Sequence, residues 1–324
     1  MRKEHIEEID NAVAALENKN IKSIYFAACG GSQAVLMPGQ YIFDRETELV
    51  SQVYTANEFI NDTPKLLGEN AVVITMSHSG TTPETVNATK VARAAGATTI
   101  SFSHEKDSFL WNESEYPIHY DWGKDADASD LNKPVFYGLI FKLLKHFTNK
   151  GKWDTCFNEL NKLQELTIQN KKKYQPLADQ WGKENKRDKI IYTLASGINY
   201  GEMYSTANCW FMEMQWINSA MIHSGEYFHG PFEITDDNVP FLMIKSIGNT
   251  RKLDQRVEDF AVKYTKNITI LDQKDLNLDG VKEESKQYIA AILSGVVVRQ
   301  LVESIAFQRG HSLDVRRYMW HEKY

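Results

Sequence analysis

Short apolar runs that stop at glycine or hydroxyl residues, each followed by a helical period, recur along the chain and set its plan. Residues 21–29 form such a run and end in Gly30, Gly31 and Ser32. Residues 70–76 form a second, ending in Ser77-His78-Ser79-Gly80-Thr81-Thr82 and followed by a helical stretch over 83–95 that Gly96 stops. Runs of this kind, with helices between them, predict buried strands of a parallel sheet covered on both faces. Ahead of them, Ile6, Ile9, Val13 and Leu16 recur at spacings of three and four, an amphipathic helix over 5–19. Further strands are expected at 98–103 and 116–121, and helices at 135–145 and through the polar stretch 152–184.

The pattern then restarts. Residues 190–194 predict a strand, 195–201 a turn and 202–217 a helix. A strand at 239–245, an amphipathic helix at 250–266 (Leu253, Val257, Phe260, Val262), a strand at 267–272 and a long apolar helix at about 283–308 complete it, before the tail 313–324. The reading is α/β, with two tandem domains, each a parallel sheet between helical layers (an αβα sandwich). Domain 1 takes residues 1–150, a helical connector 151–185, and domain 2 residues 186–324, in keeping with a chain of 324 residues and domains of roughly 150 residues each.

Chemistry concentrates in two places. Four hydroxyls and Gly80 stand between a strand and the start of a helix, whose N–H groups and dipole favour an anion. Pro83 suits the first helical turn. A phosphate monoester fits this loop; a capped helix with a polar turn is the plainer alternative. Gly30-Gly31-Ser32 is a weaker signal of the same type. No nucleotide P-loop or dinucleotide fingerprint is present, so a sugar phosphate fits better than ATP or NAD.

The second place is residues 223–233, where His223, Glu226, His229 and Glu233 lie among glycines and Pro231, a pattern that neither helix nor strand periodicity describes. Just before it, Glu213 sits in an apolar helix among Cys209, Trp210, Trp216 and Ile217. Either desolvation suits it to general acid/base work or it is a salt-bridged carboxylate. His229 is the better candidate among the loop residues, because imidazole titrates near neutrality; His223, Glu226 and Glu233 are rim or supporting groups. His5, His104, His119 and His146 lack metal-ligand spacing and are expected to be structural or exposed, and no metal is expected.

Composition narrows the classes. Hydrophobic content of 42%, charged content of 25% and a formal net charge of -6 describe a folded protein without the basic surface that nucleic acids require. Three scattered cysteines and a charged N-terminus without a secretory signal point to the cytoplasm. The run 288–298 is interrupted by Arg299 and Glu303 short of the roughly 20 residues of a membrane span, so it is expected to be a buried helix.

Together, Cys29-Gly-Gly-Ser32, the Ser77–Thr82 loop, the stretches 54–59, 212–217 and 225–234, and the tail 316–320 resemble the sugar-isomerase (SIS) domain family. The similarity is to the isomerase half of glucosamine-6-phosphate synthase and, over nearly the whole chain, to fructosamine-6-phosphate deglycases. The resemblance implies that Ser32, Ser77, Ser79 and Thr82 bind the substrate phosphate, with Gly30, Gly31, His78, Gly80 and Glu226 supporting, and that Glu213 and His229 are the acid/base pair. The synthase type carries a lysine where this chain has Trp210 and another matched by Trp320; their absence, with no preceding glutaminase domain, argues for cleavage of a phosphorylated Amadori product. An amino-sugar-phosphate isomerase or deaminase, or a non-catalytic sugar-phosphate sensor, are the alternatives. The reaction class needs neither metal nor redox cofactor. Relatives place their active sites at subunit interfaces, which implies at least a homodimer and allows Glu213 and His229 to come from different chains.

Overall fold

In the computed structural model, residues 1–322 are described. The chain divides into two compact units: Met1–Gln164 with Val281–Ser285, and Glu165–Gly280 with Lys286–Tyr324.

The first unit runs α1 (Lys3–Ala14), β1 (Ser23–Ala28), α2 (Gly30–Glu46), β2 (Val50–Thr55), α3 (Ala56–Asn61), β3 (Ala71–Met76), α4 (Pro83–Ala94), β4 (Thr98–Ser103), α5 (Phe109–Glu113), β5 (Tyr116–His119), α6 (Asn132–Thr148) and α7 (Lys152–Glu159). Its five strands are all parallel, in the order β2-β1-β3-β4-β5. β1, β3 and β4 are buried at every position, which is why they read as unbroken apolar or hydroxyl runs. Side chains alternate between two cores. Tyr25 and Ala27 pack with Phe59 of α3 and Ala88 and Ala92 of α4, while Phe26 on the opposite face meets Phe43 and Phe136 at ring separations of 6.3 and 6.2 Å. Each such buried aromatic contributes about 1.5–3 kcal/mol.

The second unit runs α8 (Leu163–Asn185, entering from the first), β6 (Tyr192–Ala195), α9 (Tyr200–Ser205), a π-helical segment (Thr206–Glu213), β7 (Met221–His223), β8 (Phe241–Lys245), α10 (Arg251–Tyr264), β9 (Ile268–Asp272) and α11 (Glu283–Arg309). Its sheet is again parallel, in the order β7-β6-β8-β9. α11 is long and apolar enough to cross a membrane by composition, but 78% of its apolar window is buried in the protein.

Two strands, β2 and β7, escape the hydrophobic reading. β2 is an edge strand with mixed exposure, Val50 and Gln52 outward and Ser51 buried, and β7 has only three residues. The continuous α-helix expected over 202–217 is also not what forms: α9 ends at Ser205 and a π-helix takes over as far as Glu213. Residues 223–233 likewise differ from a purely irregular loop, since His223 closes β7.

Candidate active site

In the first sheet the chain leaves β1 toward one edge and returns at β3 on the other side. This makes β1/β3 the topological switch point, where crevices at the carboxyl ends of strands take ligands. The register Ala28↔Met76 brings the Cys29–Ser32 and Ser77–Thr82 segments out side by side. α2 starts directly at Gly30, whose φ of +53° is left-handed, and Ser32 is its third residue. Gly80 is also left-handed, at φ +65°, and a Cβ there would fall 1.9 Å from Ser108 Oγ. The Leu110 N–H bonds Gly80 C=O at 2.9 Å, so the start of α5 fixes the loop from behind.

The loop's hydroxyls are paired with one another. Ser77 Oγ and Thr82 Oγ1 share a hydrogen bond at 2.9 Å, and Ser79 Oγ and Thr81 Oγ1 share one at 2.7 Å. Thr82 is the N-cap of α4, yet its hydroxyl makes no cap bond. These hydroxyls can therefore turn to a ligand without exposing an unsatisfied buried donor. His78 departs from them: its Nδ1 lies 3.1 Å from Tyr120 Oη, and its ring stacks on His104 at 5.2 Å. Burial and the neighbouring His104 lower its pKa.

In the second unit, the π-helical segment ends on Glu213, and π-turns of this kind are frequent at functional sites. Of the two readings open for Glu213, the structure shows an ion pair. Arg316 Nε and Nη2 both converge on Oε1, at 2.8 and 2.7 Å. The Arg316 side chain is itself only 6% exposed, held by its bond to Leu313 C=O at 2.7 Å. The Cys209 thiol is pushed up to about 11, by burial first and by the Glu213 charge second. Arg316 is thus the partner of the candidate residue Glu213 that the sequence pattern missed; a basic side chain in a charged tail carries no sign of its partner.

The stretch after β7 is built in two layers. Tyr227, Phe228 and Phe232 turn into an aromatic cluster with Phe260 of α10, at ring separations of 6.1, 5.5 and 5.6 Å, and Tyr227 is fully buried. Glu226, His229 and Glu233 are left exposed. The backbone is closed by the His229 N–H on Glu226 C=O at 2.9 Å and turned by Gly230 at φ +133°. Among the described residues, Glu213 is bonded to Arg316 and not to His229.

The second sheet has the same switch point, between β6 and β8. The loop after β8, Ser246 to Thr250, repeats the hydroxyl–glycine–hydroxyl pattern. Here, however, a carboxylate of the protein itself takes the donors. Asp254, fully buried in the first turn of α10, accepts from Ser196 Oγ at 2.7 Å and from the Ser246 N–H at 2.8 Å. Its pKa is raised by burial, which outweighs these hydrogen bonds. Beside it Arg251 grips Asp272 with both guanidinium arms, at 2.7 and 2.6 Å, and Lys245 pairs with Glu258.

Comparison with known proteins agrees with this architecture. The SIS domain family profile matches residues 19–131. The chain is 42% identical to the fructosamine deglycase FrlB of Bacillus subtilis, over 98% of its own length and 97% of the relative's. It is 26% identical to the fructoselysine 6-phosphate deglycase of Escherichia coli K12, over 94% of this chain and 88% of that protein. A solved structure from Bacillus subtilis, described as a candidate phosphosugar isomerase, superposes with a TM-score of 0.96 at 41% identity, covering 98% of this chain and 97% of the other. With near-complete coverage at that identity, the chain belongs to the SIS-domain family, alongside its fructosamine deglycases.

Proposed function

We propose that the protein is a deglycase that hydrolyses a 6-phosphofructosamine, the phosphorylated Amadori adduct of an amino acid, to glucose 6-phosphate and the free amine. The observation that carries this reading is the end-to-end 42% identity with a fructosamine deglycase, joined to a hydroxyl-lined crevice at the β1/β3 switch point. In it, Ser32, Ser77, Ser79 and Thr82 receive the phosphate, with the N-termini of α2 and α4 supplying further N–H donors and favourable dipoles.

Glu213 removes a proton from C1 of the open-chain ketose, giving an enaminol. Protonation at C2 then yields an imine, and water adds to C1 to release the amine and leave the aldose phosphate. Arg316 occupies Oε1 of Glu213, which leaves Oε2 as the oxygen that takes the proton. His229, exposed at the tip of its aromatic-anchored loop, passes protons to and from oxygen or nitrogen; Glu226 beside it supports the loop. Two such groups in different environments suffice for the proton transfers, and binding energy from the distant phosphate helps hold the reacting carbon in place. The enzyme acts in the cytoplasm as a homodimer or higher homo-oligomer.

The test is incubation with fructoselysine 6-phosphate and related 6-phosphofructosamines, with product coupled to glucose 6-phosphate detection. Stoichiometric glucose 6-phosphate and free amine are expected. No product from any of them, together with turnover of glucosamine 6-phosphate, would replace this reading by an amino-sugar-phosphate isomerase or deaminase.

A further inference from the structure

At the edge of the first sheet the fold assembles a group that no sequence spacing announces. His5 comes from α1, His119 ends β5, and Asp121 follows it; one ligand atom from each lies within 4.8 Å of the other two. His5 is fully buried, and neither of its ring nitrogens has a hydrogen-bond partner. His119 Nδ1 is likewise buried and unpartnered. Buried polar atoms of this kind destabilise the fold unless something satisfies them.

The distances indicate what does. His5 Nε2 is 3.6 Å from Asp121 Oδ1, and His119 Nδ1 is 3.7 Å from the same oxygen. These separations are too long for hydrogen bonds, but they are close to the edge of a coordination shell whose metal–ligand bonds are about 2.0–2.2 Å. Asp130 Oδ1 lies 4.0 Å from His5 Nε2.

We propose that His5, His119 and Asp121 form a binding site for one divalent transition-metal ion of the zinc class, which fastens α1 to the end of β5. Two imidazoles and a carboxylate are a borderline nitrogen/oxygen donor set, suited to zinc and poorly suited to magnesium or calcium. The charges around it agree. Asp121 and Asp130 face the cluster, and among the described residues the cation bonded to its ligands is Arg2, whose Nη1 holds Asp121 at 3.0 and 2.9 Å while its backbone N–H binds Asp130 at 2.6 Å. Outside this, Lys106 is paired with Glu4 and faces Glu8 at 3.9 Å, and Glu8 accepts the His119 N–H at 2.7 Å. A carboxylate has lone pairs enough for both Arg2 and a metal, and the arginine then fixes the ligand's orientation. Burial, the larger cause for both rings, lowers the pKa of His5 and His119 and keeps them in the neutral form that a metal needs.

The site also adjoins the phosphate loop. His119 stacks on His104 at 5.8 Å and His104 on His78 at 5.2 Å, so a row of imidazoles runs from the proposed metal to the residue after Ser77. Metal binding should therefore stiffen the edge of the crevice, whatever the substrate proves to be; the proposal does not rest on the deglycase reading.

The full chain, free of any histidine tag, is stripped with a chelator, equilibrated with Zn²⁺ or Co²⁺, and separated from free metal by gel filtration. Elemental analysis should find about one ion per chain, with the strong visible absorption of cobalt at low coordination number and a raised melting temperature. His5→Gln and His119→Gln should each reduce retained metal to roughly a tenth or less. If His5→Gln does not fold, His119→Gln, at a half-buried strand end, decides alone. Less than about a tenth of an equivalent on the intact chain, or metal content unchanged in His119→Gln, overturns the proposal.

Discussion

The two sheets share a topology, and the contrast between their switch points is instructive. At β1/β3 the hydroxyls of Ser77, Ser79, Thr81 and Thr82 satisfy one another. At β6/β8, Ser196 and the Ser246 N–H are held by Asp254. A hydroxyl pair exchanges its mutual bond for bonds to a phosphate at little cost. A buried carboxylate repels a second anion and already occupies the donors. Both α4 and α10 carry an acid in the first turn, but Glu84 of α4 is only half-buried whereas Asp254 is fully buried on its donors. Burial of that acid makes the second switch point a structural joint. The proposed function accordingly places the phosphate at the first and draws its proton-transfer groups from the π-helix and the aromatic-backed loop of the second unit.

The largest effect expected from this division is on turnover. Glu213→Gln should lower kcat by roughly 10²–10⁴ while leaving the affinity for an inert hexitol 6-phosphate unchanged; equal losses in both would merge the two roles. Next, Ser77→Ala combined with Ser79→Ala should raise KM by roughly 10- to 100-fold, the value of charge-assisted hydrogen bonds, with a smaller change in kcat under steady-state assay. Gly80→Ala comes third. Its left-handed backbone and the Ser108 hydroxyl in its path should cost about 1–3 kcal/mol, read by urea denaturation followed through the first unit's tryptophans; an unchanged midpoint would show that the loop tolerates relaxation.

The smallest effect is a pH slope. Asp254 has a folded-state pKa above its unfolded value, so it binds the proton more tightly when folded. Its contribution is therefore fully present below the usual carboxylate range and is lost as pH rises through its raised pKa. Denaturation midpoints measured across pH 4 to neutrality should fall by a component that Asp254→Asn removes. The same slope in both proteins would mean that Asp254 is more solvated than its position indicates.

Much of this was readable in advance, for physical reasons. β1, β3, β4 and β8 are buried on both faces, so β1, β3 and β8 read as largely apolar runs and β4 as a run of hydroxyl and apolar residues without charge. β2 and β7 were not readable: an exposed edge strand and a three-residue strand carry too little hydrophobic signal. The π-helix has the same residue types as an α-helix and differs only in bonding. Glu213 and His229 stood out by chemistry and context, but the Glu213–Arg316 pair spans 103 positions, and His5 meets Asp121 across 116 positions, from 121 minus 5. Such pairings are products of the fold, which is why histidines without ligand spacing in sequence come to share one buried corner.

The proposed function requires a single receptive crevice, and calorimetric titration with an inert hexitol 6-phosphate tests this most directly. The intact chain and the Ser196→Ala, Ser246→Ala double variant should each bind about one equivalent per chain with similar affinity, and the Ser77→Ala, Ser79→Ala double variant should bind at least roughly tenfold more weakly. Two equivalents on the intact chain, or loss of binding in the Ser196/Ser246 variant with retention in the other, would contradict it.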